Sequence, residues 1–269
     1  MPELPEVEVT RLGIAPSLTG RRVTDVIARV PKLRYPIPRE LPALLCDRVL
    51  QSVTRRAKYL LLDFGHGRLL LHLGMSGSLR ILPSDTPPEK HDHLDLVFGD
   101  TALRLRDPRR FGAALWLPDG ESHPTLDVLG PEPLSETFNA RWLHEALKKR
   151  GTAIKPTLMD GHLVVGIGNI YASESLFRAR INPKTAANKI SLARLEKLVP
   201  EIKATLTAAI AKGGSTLRDF IHSDGSSGYF QQEYFVYGRD GEACRVCGAT
   251  IKRLVQGQRA TFYCPHCQR

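Results

Sequence analysis

Residues 244–267 read CRVCGATIKRLVQGQRATFYCPHC. In this stretch two Cys-x2-Cys pairs, Cys244 with Cys247 and Cys264 with Cys267, are separated by sixteen residues, which is the spacing of a four-thiolate zinc site. Each pair can bind one metal ion from a tight turn, and the residues between them are enough for a β-hairpin. Because four cysteines complete a tetrahedron, the pattern predicts one structural Zn2+ and leaves no open coordination position for catalysis.

The same C-terminal segment is basic. After Tyr237 its acids are Asp240 and Glu242, whereas its cations are Arg239, Arg245, Lys252, Arg253, Arg259 and Arg269. The whole chain of 269 residues has a net charge of +10, from 38 Lys and Arg against 28 Asp and Glu. Such a surplus favours a polyanionic partner, and nucleic acid comes before an anionic membrane. The alternative is a basic enzyme whose zinc ribbon only holds the chain end together.

Length and composition favour a cytoplasmic protein that is long enough for two domains of ordinary size. Apolar residues make up 42% of the chain, and no uninterrupted apolar run approaches the ~20 residues that a membrane span needs. No secretion signal is visible, and the clustered cysteines suit a metal site in a reducing compartment better than a disulfide framework. We therefore expect no membrane association. The fifth cysteine, Cys46, lies in the apolar stretch 41–50 and is expected to be a core residue.

The first half of the chain has the pattern of short strands joined by tight turns. The predicted strands are 58–64, 68–73, 94–98, 101–106 and 112–117. Glycine-containing turns, from Gly65 to Gly67 and at Gly99, join the first four into two hairpins. In 101–106 leucines alternate with Arg104 and Arg106, which predicts a strand with one solvated, basic face. Strands of this kind indicate a sandwich or a barrel.

Helical periodicity replaces this pattern after the proline-rich passage around Pro131. Asn139 can cap a helix whose apolar residues share one face and whose basic end lies at 148–150. Residues 191–212 place apolar side chains at three- and four-residue steps and predict a long helix that ends at Gly213. The second half is therefore expected to be mainly helical before the cysteine segment.

Eight separated motifs resemble those of bacterial formamidopyrimidine-DNA glycosylase, in order and over the whole length. They are PELPEVE at 2, RRAKYL at 55, HLGMSGSLR at 72, KHDH at 90, DPRRFG at 107, GIGNIYASE at 166, GGSTLRDF at 213, and the four-cysteine end with QRATFYC. The resemblance implies an α+β multidomain fold with an N-terminal β-sandwich and an opening helix, a helical helix-two-turn-helix domain, and a C-terminal zinc finger hairpin. We expect the domains at 1–131, 132–234 and 235–269, with DNA in the cleft between sandwich and helices. A monomer is also implied.

The resemblance further implies a bifunctional DNA glycosylase and abasic-site lyase for oxidised purines, such as 8-oxoguanine and formamidopyrimidines. After removal of Met1, the Pro2 amine would attack C1′ of the damaged nucleotide, and the resulting Schiff base would lead to β,δ-elimination. An α-amino group titrates near ~8 and lysine near ~10.4, so more of the former is neutral at pH 7. Glu3 would supply or accept the proton at the sugar ring, and Glu6 would hold the geometry or shuttle a proton. Alternatively, acids at a helix start only complement its dipole.

Duplex DNA is the implied partner, and two groups of residues would contact it. Three of them would fill the hole left by an everted nucleotide: Met75, Arg109 and Phe111. Arg109 has only donors, which suits the O2 and N3 acceptors of an orphaned cytosine. For Met75 and Phe111 the alternative is core packing. The Ser/Gly-rich loop 223–229 resembles a lid over the everted purine, with a solvated linker as its alternative.

Phosphate contacts make up the second group. Lys58, Asn169 and Arg259 would share a phosphate near the lesion, and Lys58 and Arg259 are placed with the catalytic residues. Asn169 begins a predicted helix, where backbone N–H groups bind anions. His91 and Arg150 match further DNA-binding positions. For Lys58 the alternative is an ordinary solvated charge.

Two other functions compete with this interpretation. An endonuclease VIII-like enzyme would act on oxidised pyrimidines, although Leu4-Pro5 in PELPEVE and the intact DPRRFG favour the purine branch. A non-catalytic zinc protein would only bind bent or damaged DNA. Borohydride trapping on abasic DNA separates the last class from the enzymes, because a binder without a reactive amine forms no covalent complex.

Overall fold

The computed structural model describes residues 1–215 and 229–269. The chain forms two compact units. The N-terminal unit consists of Met1–Asp127 with Lys212–Tyr229, and the C-terminal unit consists of Val128–Ala211 with Phe230–Arg269. The three-domain division at 1–131, 132–234 and 235–269 stays a prediction. The predicted lid 223–229 lies outside the described residues except for Tyr229.

Two antiparallel four-stranded sheets build the N-terminal unit. Its helices are α1 (Leu4–Leu18), α2 (Leu41–Leu45) and α3 (Pro124–Asp127). Its strands are β1 (Asp25–Ala28), β2 (Ser52–Arg56), β3 (Tyr59–Asp63), β4 (Gly67–His72), β5 (Ser78–Pro83), β6 (Asp92–Phe98), β7 (Thr101–Arg106) and β8 (Ala113–Pro118). The strand orders are β1-β6-β7-β5 and β2-β3-β4-β8. The two predicted hairpins are thus β3–β4 and β6–β7.

Leucines from both sheets form one apolar core. Leu60 and Leu69 come from the second sheet, Leu96 and Leu103 from the first, and each is at most 1% exposed. This shared core makes the unit a β-sandwich, as the sequence predicts, because each sheet buries one face against the other. Cys46 is half-buried and packs against the same core.

The predicted solvated, basic face of β7 is wrong at Arg104, whereas Arg106 is half-buried, with its side chain 27% exposed. Arg104 is 2% exposed, and its guanidinium binds both carboxylate oxygens of Asp95 at 2.9 Å. The carbonyl oxygens of Thr86 and Pro87 accept further bonds from it at 2.9 and 3.2 Å. The segment that carries these carbonyls covers the sheet face, and the acids of β6 supply the opposite charge. Alternation in β7 therefore marks a buried ion pair instead of a wet surface.

Replacing Asp95 by Asn should strongly destabilise the N-terminal unit. Asp95 also binds Arg29 at 2.6 Å, so the change leaves two guanidinium groups without their shared charge and should lower the free energy of unfolding by about 3–5 kcal/mol. Burial opposes ionisation, but Arg29 and Arg104 hold the pKa of Asp95 below its usual range. Its contribution is complete above the unfolded pKa near ~4 and is lost as the pH falls through the lower folded pKa.

Thermal denaturation of Asp95→Asn at neutral and acidic pH measures this effect. The difference in Tm from the parent chain should shrink in acid. Asp100→Asn is the control, because Asp100 pairs with Arg21 at 2.7 Å with its own side chain 88% exposed, and such surface pairs contribute little. Equal Tm values for the two variants would contradict a stabilising buried pair.

Helices dominate the C-terminal unit until its final hairpin. Its longer elements are α4 (Ala140–Leu147), α5 (Ile154–Leu158), α6 (Asn169–Arg178), α7 (Leu192–Ala211), β9 (Lys252–Gln256) and β10 (Arg259–Tyr263). Asn139 caps α4 as predicted, because its Oδ1 accepts the N–H of Trp142 at 2.9 Å. The long helix predicted over 191–212 is α7. Among residues 1–215 and 229–269, no helix has the length and apolar character needed to cross a membrane.

Candidate active site and zinc site

The two acids near the beginning of the chain, Glu3 and Glu6, lie at the start of α1. Pro2 is buried, and Glu3 and Glu6 are 3% and 0% exposed. They form a reciprocal capping box, in which the backbone N–H of Glu3 donates to Glu6 Oε2 at 2.8 Å. Pro5, near the helix start, needs no intrahelical partner for its nitrogen. The helix therefore fixes the position of the first residues, where chain ends are usually frayed.

Glu6 also holds a segment from far along the chain within the same unit. Its Oε1 accepts the backbone N–H of Ser215 at 2.9 Å. Gly214 has φ +75°, and a Cβ there would lie 3.1 Å from the same oxygen, so a side chain would crowd the carboxylate. One carboxylate thus joins the start of α1 to Gly214 and Ser215.

Lys58 lies in the tight turn between β2 and β3, after Ala57 with φ +54°. Its charge acts on His72, at the end of β4. Burial first, and then the charges of Lys58 and Arg34, lower the pKa of His72 to about 4, so this imidazole is neutral at pH 7. His72 Nδ1 accepts the N–H of Gly74 at 3.0 Å. Lys58 is therefore close to the base of the loop that carries Met75.

The predicted hole-filling residues lie on two adjoining loops. We call residues 73–77 the Met75 loop and residues 107–112 the Arg109 loop. Phe111 is 45% exposed and Met75 is half-buried, so Phe111 at least is no core residue. The guanidinium carbon of Arg109 lies 4.9 Å from the centre of the Phe111 ring, in cation–π contact. His91, also half-buried, accepts the N–H of Asp107 on its carbonyl at 3.0 Å.

Asn169 begins α6 in the C-terminal unit, with Gly168 as its cap residue. Lys155, which is 1% exposed, donates from Nζ to Asn169 Oδ1 at 2.5 Å, to Ala260 O at 3.0 Å and to Thr261 Oγ1 at 2.8 Å. Because the ammonium group has only donors, it fixes the carbonyl side of the Asn169 amide toward itself. The structure thus brings Asn169 close to β10, which begins at the exposed Arg259.

Arg150 lies beyond the end of α4 and carries an intramolecular partner. Its Nη1 binds Asp160 Oδ2 at 2.6 Å, with the two side chains 35% and 30% exposed. Burial opposes ionisation of Asp160, but Arg150 and the N–H of His162 hold the pKa of this carboxyl below its usual range. A phosphate that binds Arg150 would compete with this pair, which is only partly shielded from solvent.

The four C-terminal cysteines converge on one point. Their Sγ atoms all lie within 4.8 Å of one another, and Cys247 and Cys264 are 3.4 Å apart. In a tetrahedral zinc site with Zn–S bonds of ~2.3 Å the sulfurs lie about 3.8 Å apart, so the cluster fits this metal. The cysteines are reduced, and β9 and β10 form the predicted hairpin between the two pairs. When bound, the ion would only stabilise the fold.

Three family models match the chain in succession. They are the formamidopyrimidine-DNA glycosylase N-terminal domain over residues 1–114, the formamidopyrimidine-DNA glycosylase H2TH domain over 129–221, and the zinc finger found in FPG and IleRS over 241–269. The chain belongs to the formamidopyrimidine-DNA glycosylase family. It is therefore a glycosylase of DNA repair with one structural zinc site, and the helix-two-turn-helix and zinc finger predictions are confirmed.

Individual relatives agree with this assignment. A formamidopyrimidine-DNA glycosylase from Aromatoleum aromaticum is 60% identical and one from a Janthinobacterium species is 59% identical, each matched over 100% of both chains. A structure of the Lactococcus lactis enzyme with Fapy-dG-containing DNA has a TM-score of 0.91 at 36% identity, covering 99% of this chain and 100% of that one. Another of that enzyme with abasic-site DNA has a TM-score of 0.92 at 36% identity, covering 99% of both.

Sequence reasoning missed several residues around these sites. Lys155 follows the apolar pair Ala153-Ile154, and this setting was the available signal that its side chain turns inward. Asp107 was quoted only as part of a motif, although the structure buries it completely. Gly214 and Ser215 were likewise quoted only within the motif GGSTLRDF, and no local pattern indicated their contact with Glu6, because the hydrogen bond joins residues 209 positions apart.

Proposed function

We propose that this chain excises oxidised purines, 8-oxoguanine and formamidopyrimidines, from duplex DNA and then cuts the strand at the abasic site. The main structural support for this proposal is the arrangement at the start of α1, where Glu6 accepts the N–H groups of both Glu3 and Ser215. The acid pair and the first residues are thereby held in one place, as a nucleophile and its proton carrier must be. Membership of the family supports the same reaction.

Pro2 supplies the nucleophile once Met1 is removed. Its neutral nitrogen forms a bond to C1′ while the glycosidic electron pair leaves with the base, which takes up a proton. The nitrogen then loses its proton, and the C1′–O4′ bond breaks as O4′ takes a proton from Glu3, which gives an iminium ion. Removal of a C2′ proton then expels the 3′ phosphate, and a second elimination expels the 5′ phosphate. Glu3 exchanges the proton at the sugar ring, and Glu6 holds Glu3 in place.

Phosphate binding is assigned to Asn169, Arg259 and Lys58. The contact of Lys155 with Asn169 Oδ1 supports this role, because it leaves the amide NH2 group, a donor, for an anion. The same lysine binds Ala260 and Thr261, which follow Arg259 directly. His91 and Arg150 extend the contact to neighbouring nucleotides.

Opening of the duplex is assigned to the two adjoining loops. Phe111 and Met75 enter the stack, and Arg109 donates to the orphaned cytosine. The exposure of Phe111 and the position of Arg109 over its ring support this role. An apolar wedge backed by a charge can replace an everted nucleotide only where both project from the surface.

Excision of oxidised pyrimidines is the second candidate activity. One structure of the Lactococcus lactis enzyme, at 36% identity and a TM-score of 0.92, contains oxidised-pyrimidine DNA. Cleavage rates measured in parallel on duplexes with 8-oxoguanine opposite cytosine and with thymine glycol opposite adenine test which lesion is preferred. We expect the purine to be removed at least about tenfold faster, a difference of about 1.4 kcal/mol in activation free energy. The undamaged duplex is the control, and faster removal of thymine glycol would overturn the purine assignment.

A further inference from the structure

The Met75 loop and the Arg109 loop are joined by one buried carboxylate. Asp107 is 0% exposed. Its Oδ1 accepts the hydroxyl of Ser76 at 3.1 Å and the N–H of Arg109 at 3.3 Å, and its Oδ2 accepts the N–H of Gly112 at 2.7 Å. The Ser76 bond connects the loops, whereas the other two shape the Arg109 loop itself.

Backbone contact between the loops makes this connection close. Gly74 has φ +64°, and a Cβ on it would lie 2.4 Å from the carbonyl carbon of Phe111. A Cβ on Gly112 would lie 2.6 Å from His72 O. Only glycine allows such an approach. The residues that carry the three proposed DNA-filling side chains therefore share one packed base.

The backbone of Asp107 is also held by the KHDH motif, at the start of β6. The N–H of Asp107 donates to His91 O at 3.0 Å, and its carbonyl contacts His93 Nε2 at 3.0 Å. His93 is 2% exposed. The carboxylate therefore has its place in the protein interior and does not itself reach DNA.

We propose that Ser76 and Asp107 are positioning residues that hold Met75, Arg109 and Phe111 as one rigid wedge, and so set the preference for cytosine opposite the lesion. This inference rests on the proposed function of the two loops. A hydrogen bond between buried groups restricts the motion of both partners. Side chains that are already ordered lose less conformational entropy when they enter the base stack. Arg109 can favour cytosine over adenine only while its guanidinium is held at the orphaned base.

Ser76→Ala tests the inference, because it removes the bond between the loops and leaves the other bonds of Asp107 intact. Excision of 8-oxoguanine opposite cytosine should fall about tenfold in kcat/KM, and excision opposite adenine should fall less, so the cytosine-to-adenine ratio drops. Borohydride trapping on a preformed abasic site should stay within about twofold, since the damaged base is already absent. Ser76→Thr keeps the hydroxyl and should restore the ratio.

Ser78→Ala is the matched control. Ser78 is 3% exposed, like Ser76, and stands two residues further on at the start of β5. A merely structural loss would lower Tm and affect all substrates equally, without changing the opposite-base ratio. Should Ser76→Ala not fold, Ser76→Cys fills the same space with only a weak donor and gives the same comparison.

An unchanged ratio in Ser76→Ala, with a parent chain that traps abasic DNA and excises 8-oxoguanine, would overturn the positioning role and leave the proposed function standing. A parent chain that forms no adduct at all would overturn the proposed function first. The two failures are therefore distinguishable from the same set of assays.

Discussion

Chain purified with Met1 still attached should form no covalent complex with abasic DNA under borohydride, whereas chain that begins at Pro2 should form one. Acylation by Met1 turns the proline nitrogen into an amide, which is neither basic nor nucleophilic. Strand cleavage at 8-oxoguanine should fall by at least about 10³-fold, because removing a nucleophile leaves only binding and polarisation. Intact mass before and after trapping reports methionine removal and covalent attachment together.

The position of Pro2 explains why a small blocking group should have so large an effect. Pro2 is buried next to Glu3, the N-cap residue of a helix whose first turn contains Glu6. The positive end of the helix disfavours the ammonium form, and an α-amino group is already less basic than a lysine. A neutral amine in this place would be reactive at pH 7, and the fixed capping box would leave little freedom for another group to replace it.

Pro5→Ala is the matched control for this experiment. Pro5 is another buried proline of the same helix start, but its nitrogen is within the chain and cannot attack a sugar. We expect this variant to form the adduct. If Met1-bearing protein were trapped as well as the mature chain, the reactive amine would be that of Met1 or of a lysine side chain, and the role assigned to Pro2 would be wrong.

Sequence patterns predicted the local elements of this chain well. Glycine turns and alternation placed both hairpins, and a three- and four-residue period with its cap placed α4 and α7. The spacing of four cysteines predicted the metal cluster without further information, since each Cys-x2-Cys turn is a local structure. These features depend on neighbours in the sequence, which is why they could be predicted.

Contacts between segments far apart in the sequence were harder to predict. Arg104 looked solvent-exposed because alternation reports which face a side chain is on, and whether that face is covered depends on a separate segment at Thr86 and Pro87. Lys155 meets its acceptors Ala260 and Thr261 more than a hundred residues later. Buried charges paired at long range leave no periodic signal, and the resemblance to a family supplied the proposed site residues that local chemistry could not.

Removal of zinc should abolish tight DNA binding while the sandwich stays folded. A two-stranded hairpin is marginally stable by itself, and the apolar cluster around β9 and β10 is small. Structural zinc contributes about 10–16 kcal/mol to the folding of such modules. Cys247→Ser, or chelation, should therefore disorder the hairpin that carries Arg259, whereas the core of the N-terminal unit contains none of these cysteines.

Disorder of the zinc hairpin should also affect Asn169, because Lys155 contacts both. Without an ordered β10 the buried ammonium loses Ala260 O and Thr261 Oγ1, two of the acceptors that hold it beside Asn169. A buried charge with too few partners is unfavourable, so Lys155 should move and release the Asn169 amide. Loss of both proposed phosphate ligands, Asn169 and Arg259, should weaken binding of abasic duplex about a hundredfold at fixed salt, or about 2.7 kcal/mol.

Zinc content and DNA affinity, measured on the same samples, test this coupling. Cys46→Ser is the control, because Cys46 is a half-buried cysteine of the N-terminal unit and should leave both quantities unchanged. Restoring zinc to chelated protein should restore affinity. Full affinity in zinc-free protein would show that the hairpin folds without metal, and the link from the cysteines through Lys155 to the phosphate ligands would then fail at its first step.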